Sequence, residues 1–196
     1  ETPIKPFYLH ASENGIAESG FVFPYDGPQP TNVFWYRYNP KQNIYKNNFH
    51  YYLLPPYGDN LLTIFEVNRE LQKELTSFFK DYDLEVVFDF AGRGIEIQRK
   101  EDDIVYKVPY ELTADTLRRI IFFLSAIRTS DKSILLLEEP EAHSFPGYIN
   151  LLANEIIEDD DNQYFLTTHS PYMLQRIIEY PNTDEIGIFH VYYENY

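Results

Sequence analysis

Two apolar runs, each ending abruptly in polar residues, constrain this chain more than any other feature. Ser133-Ile134-Leu135-Leu136-Leu137 runs into Glu138-Glu139-Pro140-Glu141-Ala142-His143. Gln163-Tyr164-Phe165-Leu166-Thr167 runs into Thr168-His169-Ser170-Pro171. A continuous apolar run has no face to turn to water, so each is predicted to be a buried strand of a parallel sheet. Helical patterns separate them: Ala114 to Ile127 with Thr113 as its cap, Tyr148 to Ile157, and Pro171 to Tyr180 with proline in the first turn. Ile186 to Tyr192 reads as a last strand. This α-β-α-β-α-β order implies right-handed crossovers between parallel strands. Ligands of such sheets sit at the carboxyl ends of the strands.

The preceding region has other periods. Leu84 to Phe90, Ile95 to Arg99 and Ile104 to Val108 alternate with period two, which predicts an antiparallel meander. Leu61, Ile64, Phe65, Leu71, Leu75, Phe78 and Phe79 recur near 3.6, which predicts one helix from Asn60 to Tyr82 with Asp59 or Asn60 as cap. Residues 1–60 are rich in Pro, Asn and Tyr. Loops and a few edge strands are expected there, such as Gly20 to Phe23 and Asn32 to Tyr38. The fold class expected is α/β: a parallel sheet flanked by helices, preceded by a helix and a β meander. The division falls between residues 1–110 and 111–196.

Composition excludes several function classes. The 196 residues carry a formal charge of −15 and contain no cysteine, so disulfides, thiolate zinc sites and thiol nucleophiles are ruled out. Such acidity opposes coating of nucleic acid by the bulk surface. No apolar run approaches the ~20 residues of a membrane span, so no membrane partner is expected. Aromatic residues reach 17%. They suit either an aromatic-packed β region or a base-stacking platform, for which Arg37, Lys41 and Lys46 offer few cations. An opening Glu1 rather than Met suggests a processed product or a piece of a longer polypeptide.

The polar ends of the two runs carry the chemistry. Glu138 and Glu139 are held at a strand tip, where one carboxylate can bind Mg2+ directly or through water and the other can polarise an attacking water. If the second strand neighbours the first, His169 reaches the same rim and can contact a γ-phosphate oxygen and that water. Outside this context, paired glutamates are surface charge and a lone histidine is structural. Glu139 and His143 also stand at a metal-ligand spacing, with His169 as a further zinc ligand. Arg93, between two glycines, is either a hairpin tip or a phosphate-reaching finger.

The strings EEPEAH (residues 138–143) and TTHSPYML (residues 167–174) resemble the Walker B and switch-histidine motifs of ABC-type ATPases. They are closest to the soluble branch of RecF, the structural-maintenance-of-chromosomes (SMC) proteins and the overcoming-lysogenization-defect ATPases. The resemblance covers residues 104–192 and implies the C-terminal half of a P-loop (ABC-type) ATPase fold. It implies a magnesium-side acid at Glu138, a catalytic base at Glu139, a D-loop at Ala142, His143, Ser144 and Phe145, and a switch at His169. It further implies ATP with Mg2+, a second copy closing a nucleotide sandwich, a cytoplasmic location, and work in DNA repair, chromosome maintenance or defence, with DNA reached through another region.

Two positions depart from that family. No GxxxxGK[ST] occurs, and no glycine is followed by lysine. The phosphate cradle and its lysine are therefore expected from an N-terminal lobe in cis or in trans, and the chain alone is expected to be inactive as an ATPase. The signature position, Tyr110 to Arg119, has Thr113 and Asp115 where Ser and Gly are usual. Thr113 at a helix start can still meet a phosphate of the partner copy. Asp115 either repels that phosphate or is a first-turn residue favoured by the helix dipole. Two alternatives to the ATPase remain: a non-catalytic partner-binding module that keeps the fold, and a metal-dependent hydrolase using Glu138, Glu139 and His169.

Overall fold

The computed structural model describes residues 32–42, 44–80, 83–109, 115–179 and 186–191. Thr113 and the Gly20 to Phe23 run lie outside the described residues.

Two three-stranded sheets share one core. The parallel sheet contains β1 (Asn32–Tyr36), β5 (Ser133–Glu138) and β6 (Gln163–Thr167), in the order β1-β5-β6. In register, Tyr36 lies beside Leu137, and Glu138 beside Thr167. The central strand buries Ile134, Leu135 and Leu137, each contributing roughly 1.5–3 kcal/mol on removal from water. The antiparallel meander is β2 (Glu85–Asp89), β3 (Gly94–Glu101) and β4 (Ile104–Pro109). Its register and two short turns follow the period-two pattern.

The aromatic-rich segment before residue 60 contributes β1 to the parallel sheet, a place its Pro- and Asn-rich surroundings hid. Phe34 and Tyr36 are buried, and Tyr36 packs edge-on against Phe122 at 6.1 Å. Residues on both sides of the 110/111 division therefore lie in a single hydrophobic cluster, which runs from Phe34 to Met173. At its centre is α3 (Asp115–Thr129), apolar around almost its whole circumference, the pattern of a helix enclosed on all sides.

The long helix expected from Asn60 to Tyr82 is two helices, α1 (Leu61–Val67) and α2 (Arg69–Lys80). Asn68 separates them with non-helical backbone angles, φ −105° and ψ 87°. Its N–H closes α1 on the carbonyl of Ile64, and its side-chain oxygen accepts from Leu71 N at 3.0 Å to cap α2. Asn60 precedes α1 but does not cap it with its side chain. The fully buried amide instead accepts from Leu54 N at 2.7 Å and donates to the carbonyls of Phe49 and Tyr52.

Arg93 adopts φ 59° at the β2–β3 turn. Its guanidinium donates to Tyr45 O, Asn47 O and the Thr63 hydroxyl. It ties a loop to the meander rather than reaching for a phosphate.

Two expectations at the C-terminal end need correction. The strand β6 is not buried on both faces; its residues alternate between exposed and half-buried, as an edge strand's do. The run Ile186 to Tyr192 forms no strand over its described part, residues 186–191. Phe189 and Val191 there are 80% and 91% exposed. Apolar alternation yields a strand only when a neighbouring edge pairs with it, and among the described residues this one pairs with none. The remaining helices are α4 (Pro146–Ile157) and α5 (Pro171–Ile178), each with proline in its first turn.

Candidate functional site

The site forms where β1, β5 and β6 end together. Parallel pairing brings their carboxyl ends to one rim, so the turns after β5 and β6 face each other. Glu139 is the first residue past β5, with a left-handed φ of 42°. A non-glycine residue holds that conformation only when its surroundings over-determine it. Here its N–H is shared by the carbonyl and the hydroxyl oxygen of Thr167, both at 3.2 Å. Its carbonyl accepts from Ala142 N at 3.1 Å and from the Arg119 guanidinium at 3.4 Å.

The structure brings Glu139 and His169 together: Nε2 of the imidazole lies 3.2 Å from Oε1 of the carboxylate. The histidine side chain is 88% exposed at the mouth of the site, and the carboxylate is half-exposed, so both reach solvent. Glu138 points to a different partner. Its carboxylate lies 3.4 Å from Nε of Arg37, which follows β1 directly. Both groups of that pair are about half-exposed.

Ala142, His143 and Ser144 form a tight turn. Ser144 N donates to Glu141 O at 3.0 Å, and His143 has φ 60°. The Thr116 hydroxyl of α3 donates to His143 O at 2.6 Å. His143 is exposed, and no group of three or more His, Asp and Glu among the described residues could hold a metal ion. That removes support from the zinc arrangement of Glu139, His143 and His169, and from an all-protein metal centre of Glu138, Glu139 and His169. A magnesium ion carried on nucleotide phosphates asks less of the protein, one or two carboxylates with water completing its shell. The accessible Glu138 oxygens fit that demand, and Arg37 marks them as a place where positive charge is already favoured.

Asp115 is the acidic residue in the first turn of α3. Its carboxylate accepts from the Tyr38 hydroxyl at 2.9 Å and pairs with Arg119, one turn along α3, at 3.5 Å. The Arg119 guanidinium, only 13% exposed, also stacks over the Tyr38 ring at 4.6 Å. Burial pushes the Tyr38 hydroxyl well above the ordinary tyrosine range; Arg118 lowers it and Asp115 raises it. The Asp115 charge is thus answered by Tyr38 and Arg119 at the start of α3.

Four residues here escaped the sequence reading: Arg37, Arg119, Glu141 and Thr168. Arg37 lies about a hundred residues before its partner. Arg119 had a signal, the i,i+4 spacing from Asp115. Glu141 stood in plain view within EEPEAH, but nothing in the string shows that it is buried.

A family model described as AAA ATPase domain matches residues 42–174. Among solved structures, one comes from work on ATP-driven dimerization and DNA-stimulated activation of SMC ATPases. It is 14% identical with a TM-score of 0.40, and the alignment covers 59% of this chain and 77% of that one. A second, an SMC head bound to the C-terminal winged-helix domain of ScpA, is 13% identical with a TM-score of 0.40, covering 60% of this chain and 43% of that one. No curated protein matches. By the match over residues 42–174, the chain belongs to the AAA ATPase domain family.

Proposed function

We propose that this chain supplies the magnesium-side acid, the general base and the switch histidine of an ABC-type ATPase. In this reading ATP is hydrolysed between two copies, and the P-loop comes from a segment in cis or in trans. The biological setting is DNA repair, chromosome maintenance or defence in the cytoplasm, with DNA engaged elsewhere. The observation that carries the reading is the 3.2 Å contact between Glu139 and His169 at the ends of adjacent parallel strands.

The chemistry follows from the placement of the two side chains. Glu139 keeps one carboxylate oxygen on His169 and has the other to accept the proton of a water attacking the γ-phosphorus. The backbone bonds to Thr167, Ala142 and Arg119 fix the base, so little reorganisation accompanies proton transfer. His169 orients that carboxylate and presents its imidazole to the phosphate side. Glu138 would hold Mg2+, which when bound neutralises phosphate charge; Arg37 stands beside the same oxygens. Ala142, His143 and Ser144 would face the second copy, and Thr113 would meet that copy's nucleotide.

The test is Glu139→Gln in the protein that includes the P-loop. Turnover should fall about 10²–10⁴-fold, roughly 3–5 kcal/mol of barrier, while ATP binding persists. Unchanged turnover would remove Glu139 as the base, whereas a wild-type protein without turnover would favour a non-catalytic module.

A further inference from the structure

Glu141 is 5% exposed, among the most enclosed carboxylates in the described chain, and the steps above make no use of it. Its Oε1 accepts two hydrogen bonds from the turn after β6: a short one from the Thr168 hydroxyl, and one from His169 N at 3.2 Å. Thr168 Oγ1 in turn accepts from Ser170 N at 3.0 Å. The Ser170 hydroxyl then caps α5 by accepting from Met173 N at 3.3 Å. Glu141 Oε2 is buried with no hydrogen-bond partner. A carboxylate held in that state is costly to bury, and such groups call for an explanation.

We propose that Glu141 is the positioning residue of this site: its carboxylate clamps the turn after β6 to the turn after β5 and so sets the Glu139–His169 contact. The inference rests on the function proposed above. His169 has an exposed side chain, and its imidazole is joined to the protein at Glu139. Little packing restrains χ1 and χ2, so the position of its backbone decides whether the ring reaches Glu139. That backbone is anchored by its N–H on Glu141 and by the neighbouring Thr168 hydroxyl on the same oxygen. Both partners donate to the same atom, so the group between them has to offer an acceptor oxygen, as the Glu141 side chain does. An alanine at 141 would leave two buried donors unpaired and free the turn.

Two measurements test this on Glu141→Ala, Glu141→Gln and Thr168→Val, with the urea midpoint of each confirming a folded chain. The first is amide hydrogen exchange of His169 by NMR in this chain, without nucleotide. Exchange should quicken about tenfold or more in Glu141→Ala and Thr168→Val, the factor carried by loss of one hydrogen bond from the clamp. Glu141→Gln, which keeps an acceptor oxygen, should stay within about threefold of wild type. The second is kcat and KM for ATP in the P-loop-containing protein. Here kcat should fall about tenfold or more in Glu141→Ala and Thr168→Val with KM unchanged, and Glu141→Gln should restore most of it.

Unchanged His169 exchange in folded Thr168→Val and Glu141→Ala would overturn the clamp. Freed exchange with unchanged kcat, or an equal loss in Glu141→Gln and Glu141→Ala, would overturn the positioning role. Glu139→Gln run alongside separates the two levels. Normal turnover in that variant removes the proposed function itself, whereas its collapse beside a fully active Glu141→Ala removes only the role of Glu141.

Discussion

Replacing Asp115 by alanine should destabilise the chain by about 2–4 kcal/mol. The carboxylate is removed from the start of α3, where it accepts the Tyr38 hydroxyl at 2.9 Å and faces Arg119 at 3.5 Å. A hydrogen bond to a charged acceptor contributes about 1.5–3 kcal/mol. A carboxylate in the first turn of a helix adds roughly 0.3–1 kcal/mol through the dipole. Arg119, 13% exposed, then keeps its charge without that carboxylate, a loss discounted because Asp115 itself is 37% exposed and partly screened by water. These contributions share one network and do not add fully. Urea unfolding followed by far-UV circular dichroism reads the result. With m of roughly 1–3 kcal/mol per molar, the midpoint should drop by about 1–2 M. Asp115→Asn keeps an acceptor for Tyr38 but not the charge, so it should fall between. A midpoint for Asp115→Ala within about 0.2 M of wild type would refute the argument that this charge is absorbed by Tyr38 and Arg119.

Two further outcomes follow from buried polar groups. Asn60→Ala strips partners from the N–H of Leu54 and the carbonyls of Phe49 and Tyr52, so stability should fall by about 3–5 kcal/mol in the same urea assay; a loss under about 1 kcal/mol would mean that water replaces the amide. Alkaline pH should unfold the chain early: burial pushes the hydroxyls of Tyr36, Tyr38 and Tyr164 well above the ordinary range, and Asp159 raises Tyr164 further. A raised folded pKa means the folded chain keeps protons that the unfolded chain releases above about pH 10. The stabilisation is then complete below pH 10 and is lost above it, by about 1.4 kcal/mol per pH unit for each retained proton. Urea midpoints that stay level from pH 9 to 11.5 would contradict this.

What could be read from sequence was whatever local pattern decides. The meander, α4, β5 and the start of α5 follow from periodicity and punctuation, and the Glu138-Glu139 and His169 positions follow from where two apolar runs stop. Features set by distant partners were hidden. Asn60 looks like a cap and is a loop staple, because the loop that wraps it, residues 49–54, has no pattern of its own. Asn68 divides a helix whose apolar period continues across it, since its side chain competes for the backbone N–H of the next turn. Residues 186–191 carry strand-like residues with no edge to join. A phosphate near Asp115 stays open in the sequence because Tyr38, which binds its carboxylate, lies 77 residues away.

Separation along the chain also governs the order in which the sheet can assemble. Pairing β5 with β6 closes a loop of about 29 residues, whereas pairing β1 with β5 closes one of about a hundred. On loop-closure entropy alone the second step costs about 1 kcal/mol more than the first, and long-range parallel pairing is slow. The β5–β6 pair, with the Glu139–His169 contact, is therefore expected to form early, and β1 to zip on afterwards. Pulse-labelled amide exchange showing Phe34 protected before Phe165 would reverse that order. Since Arg37 arrives only with β1, Glu138 spends the interval with its charge unanswered and is the last part of the rim to find a counter-ion.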